Sequence, residues 1–227
     1  MLLNCDIGER GADNQVDLEI IRYIDIANIA CGGHAGDKES VETFRKLALD
    51  NKITLCAHLS YPDKENFGRL SMKIPKNILA KSLLTQRKLL PEAKVVKLHG
   101  ALYNDTAASP LLAAVAAQII FDLGFKTAIT LKPSPFSLEC EKLGIKTLAE
   151  GFAERRFTID PHSGFVKLLS REFPNAVIED ISEAISQCKI LEEHFKSDTI
   201  CVHSDSRIAL PLIKEMRKLF PKIPHED

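Results

Sequence analysis

Short apolar segments alternate with longer amphipathic segments along almost the whole chain. The short segments are rich in apolar and β-branched residues, and they predict strands at residues 2–6, 24–30, 53–57, 95–98, 128–131, 146–149 and 199–202. The longer segments repeat apolar residues with a helical period, and they predict helices at residues 38–50, 75–90, 110–123, 178–195 and 206–220. This alternation predicts an α/β fold of repeated β-α units around a mainly parallel sheet.

The number of β-α units favours a closed sheet. A barrel is the natural closure, although periodicity alone also allows an open doubly wound sheet. The chain has 227 residues, of which 45% are hydrophobic, so we expect a single domain over residues 1–227 with a large buried core. Either closure places ligands and catalytic groups at the carboxyl ends of the strands.

Charge, hydropathy and cysteine spacing exclude several classes of protein. Lysine and arginine number 30 against 31 aspartates and glutamates, without the basic excess that binding to nucleic acid requires. No apolar run approaches the roughly 20 residues that span a bilayer. Residues 1–9 leave no room for a signal peptide, and the six cysteines lack the spacing of a disulfide scaffold. We predict a cytoplasmic protein with reduced thiols that binds neither nucleic acid nor membranes.

Polar side chains follow the carboxyl ends of several predicted strands. They are Asp6, Glu9, Asn28, His34, Asp37, His58, Asp63, Lys97, His99, Tyr103, His203 and Asp205. Because such ends meet at one rim of a β-α fold, these histidines and carboxylates are expected to lie close together. A single histidine there would be interpreted as structural, but a cluster indicates a functional site. The other histidines, His162, His194 and His225, fall in a loop, a helix and the tail.

Histidines and carboxylates at one rim can support two chemistries. They can hold a divalent metal that activates water, with Asp6, His58 and His99 as candidate ligands, or they can act directly as general acid and base. The sequence contains no H-E-x-x-H motif that would mark a metal site locally. It also lacks the G-x-S-x-G elbow of serine hydrolases. The metal and the acid–base interpretations both stay open.

Two features of the rim allow two interpretations each. The glycines of residues 28–37 allow a loop whose backbone N–H groups converge on a bound anion. They equally allow a tight turn in which Asp37 is the N-cap of the next helix. Lys97 lies two residues before His99 and should share its inward side, where an ammonium group needs a carboxylate such as Asp6. Lys97 could therefore bind an anionic substrate or brace that carboxylate.

Several long motifs occur in a fixed order from one end of the chain to the other. They are LNCDIGE at residues 3–9, NIACG at 28–32, HAGD at 34–37, AH at 57–58, YPD at 61–63, FGR at 67–69, KLHGALYN at 97–104, FAER at 152–155 and ICVHSD at 200–205. Together these motifs closely resemble the LamB/YcsF family. Several long motifs in order are far more specific than any single short pattern.

The resemblance implies a fold and a reaction. The fold is a seven-stranded β/α barrel of the glycoside hydrolase and deacetylase type. The implied role is that of the A subunit of an ATP-dependent 5-oxoprolinase, which opens the lactam of 5-oxo-L-proline to L-glutamate together with 5-oxoprolinase subunits B and C. The complex would use ATP to phosphorylate the lactam oxygen, since amide resonance makes a lactam resist hydrolysis. The resemblance leaves the need for a divalent metal open.

Under this interpretation the rim residues divide into two groups. The residues expected to activate water or to protonate the ring nitrogen are Asp6, His34, His58, His99 and His203. The residues expected to bind the substrate are Asn4, Glu9, Asn28, Asp37, Arg69, Lys97, Tyr103 and Asp205. Among these, Lys97 and Arg69 carry the positive charge that would hold a carboxylate or a phosphoryl group.

The chain departs from the usual residues of the family beside candidate site residues. A bulky residue is usual where Gly33 stands, Pro-Gly at Leu59 and Ser60, proline at Leu98 and glycine at Ser204. The region after residue 156 also looks shortened. Substrate preference or partner docking could therefore differ from the family pattern.

Two other functions stay open. One is a metal-dependent deacetylase or amidohydrolase that acts alone, as the shared barrel superfamily would allow. The other is a noncatalytic regulatory subunit that binds a small acid. Stoichiometric metal with autonomous activity would favour the first, and tight binding without turnover in the presence of partners would favour the second.

Overall fold

The protein's structure, a computed structural model, describes residues 1–170 and 172–222. The strands are β1 (Leu2–Ile7), β2 (Ile26–Ala30), β3 (Thr54–Leu59), β4 (Val95–Leu98), β5 (Thr127–Thr130), β6 (Lys146–Phe152), β7 (Phe157–Ile159), β8 (Val166–Leu168) and β9 (Thr199–His203). The α-helices are α1 (Gln15–Ile20), α2 (Lys38–Asp50), α3 (Lys76–Arg87), α4 (Gly100–Ala108), α5 (Pro110–Asp122), α6 (Pro135–Lys142), α7 (Ile181–Glu193) and α8 (Ala209–Leu219).

The strands β1, β2, β3, β4, β5, β6 and β9 form a closed barrel in that order. Every neighbouring pair is parallel, and β9 closes the barrel because it pairs with both β6 and β1. The register sets Asp6 beside Asn28 and His203, and it sets His58 beside Lys97. The predicted seven-stranded β/α barrel is thus confirmed, and the open doubly wound sheet is excluded.

Each predicted strand overlaps an observed barrel strand. The strand predicted at 24–30 begins only at Ile26, because a 3-10 turn at Ile21–Tyr23 precedes it. The strand predicted at 146–149 continues to Phe152. The helix predicted at 38–50 agrees with α2, where the Asp37 carboxylate accepts a hydrogen bond from the backbone N–H of Ser40.

Side chains inside the barrel change from apolar to charged along the strands. At the amino ends, Ile26, Cys56 and Ile129 form a small apolar cluster. Above them, Nδ2 of Asn4 donates a hydrogen bond to Oγ1 of Thr199 over 2.9 Å. The next inward positions are buried or partly buried polar residues: Asp6, Asn28, His58, Lys97, Glu150, Cys201 and His203. The two-residue period of a strand explains these layers, since alternate residues project to one face.

The main hydrophobic core lies between the outer face of the barrel and the surrounding helices. Phe44 of α2, Leu83 of α3 and Ile120 of α5 are fully buried there with Leu3 and Val96 of the strands. Burial of one such side chain contributes about 1.5–3 kcal/mol. This outer core holds the barrel closed and leaves its interior free for polar groups.

Helices α1, α4 and α6 and the hairpin of β7 and β8 were not predicted. Helices α1 and α6 have only six and eight residues, and α4 starts directly after β4, so the sequence offers little periodicity to detect. Strands β7 and β8 are three residues each and pair antiparallel outside the barrel. Among the described residues, no helix combines the length and the apolar character needed to cross a membrane.

Candidate active site

A cavity of about 440 Å³ opens at the carboxyl ends of the barrel strands. The strands contribute Asp6, His58, Lys97, Phe152 and His203 to its wall. Loops, α4 and β8 add further lining residues, which include Glu9, Arg69, His99, Tyr103, Arg155, Leu168, Leu169, Ser170, Glu172 and Asp205. A concave site of this size with converging polar groups suits a small-molecule ligand.

Lys97 joins two carboxylates in the barrel interior. Its Nζ lies 2.8 Å from Oδ1 of Asp6 and 2.9 Å from Oε1 of Glu150. Oδ1 of Asp6 also accepts a hydrogen bond of 2.8 Å from Nδ2 of Asn28. The Lys97 side chain is only 3% exposed and both neighbours are anionic, so its charge is neutralised inside the protein. Of the two predicted roles of Lys97, the brace fits these contacts.

These contacts shift the pKa values of the buried groups. Burial by itself favours the neutral form of Asp6, but His58 and Lys97 outweigh it and hold the pKa of Asp6 well below its usual value. Burial likewise disfavours the charged form of Lys97, but Asp6 and other nearby groups raise the pKa of Lys97 well above its usual value. Asp6 and Lys97 therefore remain a carboxylate and an ammonium group over the range in which the protein works.

Tyr103 belongs to the same network. Its hydroxyl donates a hydrogen bond of 2.8 Å to Oε2 of Glu150. Burial, together with the Glu150 carboxylate, raises the pKa of Tyr103 well above its usual value. Tyr103 is therefore a neutral hydrogen-bond donor on the wall of the cavity.

One oxygen of Glu9 lies among three imidazole rings. Oε1 of Glu9 is 2.9 Å from Nε2 of His34, 3.3 Å from Nδ1 of His99 and 3.6 Å from Nε2 of His58. Nε2 of His58 and Nδ1 of His99 lie 2.9 Å apart. We call Glu9, His34, His58 and His99 the Glu9–histidine cluster.

The outer nitrogens of two of these rings face backbone carbonyls. Nδ1 of His58 lies 3.2 Å from the Lys97 oxygen, and Nε2 of His99 lies 3.0 Å from the Phe67 oxygen. The rings of His34 and His99 stack with centroids 3.6 Å apart and planes only 1° from parallel. Nδ1 of His34 is buried and has no hydrogen-bond partner among the described residues. The rings are therefore held in fixed orientations.

Burial is the largest cause of the pKa shifts of Glu9, His34 and His99. It raises the pKa of the Glu9 carboxyl group above its usual value. It lowers the pKa of His34 and of His99 well below the usual value, and the neighbouring imidazole rings lower both further. His34 and His99 are therefore neutral at physiological pH.

His203 has a carboxylate partner of its own. Its Nδ1 and its backbone N–H both contact Oε1 of Glu154, the latter over 2.9 Å. Its Nε2 lies 3.9 Å from Oδ2 of Asp6. Burial alone would lower the pKa of His203, but the Glu154 carboxylate raises it above the usual value. His203 can therefore carry a proton at the cavity wall near neutral pH.

Arg69 and Asp205 lie at the mouth of the cavity. Nη2 of Arg69 is 3.2 Å from Oδ2 of Asp205, and both side chains are exposed, by 46% and 37%. The Arg69 guanidinium also lies 5.0 Å from the centre of the Phe67 ring. An exposed ion pair of this kind contributes little to stability, so Arg69 can exchange its partner for an anionic group.

Three residues predicted to bind substrate lie outside the cavity lining. Asn4 and Asn28 are buried beneath Asp6, where Nδ2 of Asn28 donates to Oδ1 of Asn4 over 2.7 Å. Asp37 is exposed and caps α2. Gly36 has a φ of +80°, and a Cβ there would lie 2.2 Å from the Ala30 oxygen. Residues 31–37 thus form the tight turn with a helix N-cap, which brings His34 inward.

Glu150, Glu154 and Arg155 were not among the predicted site residues. The predicted strand stopped at residue 149, whereas β6 continues to Phe152 and so carries Glu150 into the barrel. The two-residue period from residue 148 to 150 and 152 was the signal that could have found Glu150, and the FAER motif at residues 152–155 contains Glu154 and Arg155. His162 and His194 are exposed, away from the site, and His225 lies outside the described residues.

Two departures from the usual family pattern touch each other. A Cβ at Gly33 would lie 2.4 Å from Oγ of Ser60 and 2.5 Å from Oε1 of Gln86. Gln86 accepts a hydrogen bond of 2.9 Å from the Ser60 N–H and donates one of 2.8 Å to the Ser60 oxygen. Elsewhere, Oγ of Ser204 donates to the Asp6 oxygen over 3.2 Å. These unusual residues therefore support the segments that carry His34, His58 and Asp6.

Two groups of side chains bring enough ligand atoms together to hold a metal ion. One is the Glu9–histidine cluster, whose ligand atoms all lie within 4.8 Å of one another. The other is Asp6, Cys201 and His203. In the second group, Nζ of Lys97 lies 3.1 Å from Sγ of Cys201 as well as beside Asp6. An ammonium group at that position opposes the binding of a second cation.

Comparison with known proteins identifies the family of the chain. The A subunit of 5-oxoprolinase from Staphylococcus haemolyticus is 36% identical over 97% of this chain and 95% of that protein. The A subunit from Chromohalobacter salexigens is 32% identical over 99% and 98%. The lactam utilization protein of Thermus thermophilus has a crystal structure that superposes with a TM-score of 0.80, at 26% identity over 97% of this chain and 96% of that one. The model of the LamB/YcsF family matches residues 1–223, and the chain therefore belongs to this family.

Proposed function

We propose that this chain is the A subunit of an ATP-dependent 5-oxoprolinase, which hydrolyses the lactam of 5-oxo-L-proline to L-glutamate with partner subunits B and C. The observation that carries the proposal is the position of Asp6. Asp6 lines the cavity, Lys97 and Asn28 hold its Oδ1, and its Oδ2 lies 3.3 Å from Nε2 of His58. Relatives that are named as the A subunit of 5-oxoprolinase, aligned over nearly their whole length, support this substrate.

The lactam must be activated before water can open it. Transfer of the γ-phosphoryl group of ATP to the lactam oxygen removes the amide resonance and gives an electrophilic C=N carbon. Addition of water to that carbon, followed by cleavage of the C–N bond with protonation of the nitrogen, yields an acyl phosphate. A second water hydrolyses it to glutamate and phosphate. We assign the water and proton steps to the cavity of this chain and the activation to the partners.

The pKa directions suggest which groups move the protons. Asp6 stays ionised, so its free Oδ2 can orient a water and accept a proton from it; an activated electrophile needs only such a weak base. Glu154 raises the pKa of His203, so His203 keeps its proton to higher pH than a free imidazole and can donate it to the leaving nitrogen. Arg69 at the mouth can pair with the substrate carboxylate or the phosphoryl group.

We place the reaction in the cytoplasm, where ATP is supplied. The cysteines of the chain are free and buried, which agrees with a reducing compartment. ATP is assigned to the complex as a whole, because residues 28–37 form a helix-capping turn without the lysine of a P-loop.

The test is glutamate release from 5-oxoproline and ATP by this chain alone, by candidate subunits B and C alone, and by the mixture. We expect release only from the mixture, with one ATP consumed per glutamate formed. Subunits B and C must first be shown to work with the A subunit of a relative. If that mixture is active and this chain cannot replace the relative's A subunit, the proposal is wrong.

The Glu9–histidine cluster favours one second candidate, a metal-dependent amidohydrolase that acts without partners. Three imidazoles and a carboxylate, of which Glu9, His58 and His99 line the cavity while His34 is buried behind them, match the ligand types that activate water in such enzymes. Under this alternative, the chain with added Zn²⁺ would hydrolyse a cyclic or acetylated amide in the absence of ATP. Activity that depends on ATP and on partners excludes it.

A further inference from the structure

We propose that Glu9, His34, His58 and His99 form a binding site for one Zn²⁺ ion per chain. The ligand atoms are Oε1 of Glu9, Nε2 of His34, Nε2 of His58 and Nδ1 of His99. Neutral imidazole and carboxylate are ordinary zinc ligands, and three histidines with one carboxylate make a typical set of four. Binding of the ion does not depend on which reaction the cavity carries out.

The separations of the ligand atoms fit a small ion. Zinc binds nitrogen and oxygen at about 2.0–2.2 Å, so ligand atoms at the corners of a tetrahedron lie roughly 3.3–3.5 Å apart. The distances from Glu9 Oε1 to the nitrogens of His34, His99 and His58 are 2.9, 3.3 and 3.6 Å. These three separations, and the 2.9 Å between Nε2 of His58 and Nδ1 of His99, lie within a few tenths of an ångström of that range, and all the ligand atoms of the cluster lie within 4.8 Å of one another.

The hydrogen bonds of His58 and His99 leave two lone pairs facing each other. A carbonyl oxygen only accepts, so Nδ1 of His58 and Nε2 of His99, which face carbonyls, each carry a proton, and in the tautomer that would bind an ion the other ring nitrogen has a free lone pair. Nε2 of His58 and Nδ1 of His99 are then both acceptors, at 2.9 Å. Two acceptors at this distance repel each other unless a cation lies between them.

The backbone at Gly68 and Gly100 packs closely against His34 and His99. A Cβ at Gly68 would lie 2.8 Å from Cβ of His34 and 3.1 Å from Cδ2 of His99. A Cβ at Gly100, the residue after His99, would lie 2.5 Å from the Gly68 oxygen. The backbone therefore approaches the two stacked rings as closely as glycine permits. Because imidazole lone pairs lie in the ring plane and the two planes are only 1° from parallel, the His34 ring must turn out of the stack for His34 and His99 to bind the same ion.

Charge separates this cluster from the neighbouring group of Asp6, Cys201 and His203. The Lys97 ammonium group, 2.8 Å from Asp6 and 3.1 Å from Cys201, already balances that group. The ion pairs of the Glu9 carboxylate within the described residues are with histidines, at His34, His58 and His99. The proposed ligand set therefore shares His58 and His99 with the candidates expected from the sequence, and it contains Glu9 and His34 in place of Asp6.

The test measures metal on the whole purified chain, without substrate or partners. After chelator treatment and dialysis, Zn²⁺ is titrated by calorimetry, and Co²⁺ is added as an absorbing probe of tetrahedral nitrogen and oxygen ligands. We expect one ion per chain. His99→Gln and the similarly sized Glu9→Gln should each weaken binding more than about tenfold, since loss of a ligand exceeds the usual effect of losing an outer-shell partner.

The controls separate the cluster from other histidines. His203→Gln tests the neighbouring group, and the double variant His162→Gln/His194→Gln tests exposed histidines; both should keep one ion with unchanged affinity. Circular dichroism establishes that each variant is folded. Absence of stoichiometric Zn²⁺ and Co²⁺ from the folded wild-type chain would overturn the proposal. So would binding that survives in folded Glu9→Gln and His99→Gln.

Discussion

Asp6 and His203 are paired neighbours in the adjacent strands β1 and β9. Their pKa values are shifted in opposite directions. Lys97 and His58 lower the pKa of Asp6, and Glu154 raises that of His203. Over the pH range between these values, an ionised carboxylate faces a protonated imidazole across 3.9 Å. A pair of titratable groups separated in this way is the arrangement expected of an acid and a base.

Asp6→Asn should lower glutamate release by the complete complex about 100-fold to 10,000-fold, the usual contribution of general acid–base catalysis. The amide is similar in shape to the carboxylate but cannot take up the proton of a water. Its size and hydrogen bonds should preserve the fold. Steady-state kinetics and circular dichroism measure the two effects, with the exposed Asp50→Asn as matched control. Near-normal turnover by Asp6→Asn would remove Asp6 from the mechanism.

Glu154→Gln should lower the pKa of His203, which NMR titration of the imidazole would detect directly. In the wild-type protein the folded state holds the His203 proton more tightly than the unfolded state. This contribution to stability is fully present below the unfolded pKa, near 6.5, and it disappears as the pH rises through the higher folded pKa. The free energy of unfolding should therefore fall with pH in this window, more steeply in wild type than in Glu154→Gln. Equal slopes for the two proteins would contradict the assignment.

At the scale of elements, the sequence predicted the units of the barrel but not the segments that finish the site. Buried parallel strands are continuous apolar runs, which stand out. Two segments of the site lack any apolar run or periodicity: the loop with Phe67 and Gly68, and the start of α4. Their conformations depend on contacts with other elements. The rim histidines could be predicted because they follow strands, whereas their pairing required the three-dimensional arrangement.

Gly68 and Gly124 provide a matched comparison of two loops. Both have positive φ, +64° and +80°, but a Cβ at Gly68 meets His34 at 2.8 Å while a Cβ at Gly124 meets nothing within 4 Å. Gly124→Ala should cost about 1–2 kcal/mol of unfolding free energy, the cost of the left-handed conformation. Gly68→Ala should cost about 1–3 kcal/mol more through overpacking. Urea unfolding measures both, and similar losses would show that the Gly68 loop adapts freely.

At the scale of the whole molecule, an ion network crosses the barrel. Asp6, Lys97 and Glu150 belong to β1, β4 and β6, so their contacts join strands from different sides of the ring. Backbone hydrogen bonds between neighbouring strands stabilise the barrel around its circumference. The ion pairs of this network link strands across the interior of the barrel. The polar interior is therefore part of the framework as well as of the site.

Lys97→Met should destabilise the protein by about 3–5 kcal/mol, because it leaves two buried carboxylates without their counter-charge. The loss should shrink at low pH, where the carboxylates take up protons. The exposed Lys146→Met is the control, and it should stay within about 0.5 kcal/mol of wild type. Equilibrium unfolding in urea at two pH values tests this. A loss for Lys97→Met as small as that of the control would mean that the network does not stabilise the barrel.

The contact of Gly33 with Ser60 and Gln86 restricts the evolutionary routes open to this chain. A side chain gained at position 33 while Ser60 is present would place two atoms 2.4 Å apart. Loss of the Ser60 side chain removes that clash. A Cβ at position 33 would still lie 2.5 Å from Oε1 of Gln86, so the Gln86 side chain would have to give up its two hydrogen bonds to the backbone of residue 60. Descendants that return to the bulky residue usual at position 33 should therefore also have changed or repositioned Ser60 and Gln86, so the three positions should vary together.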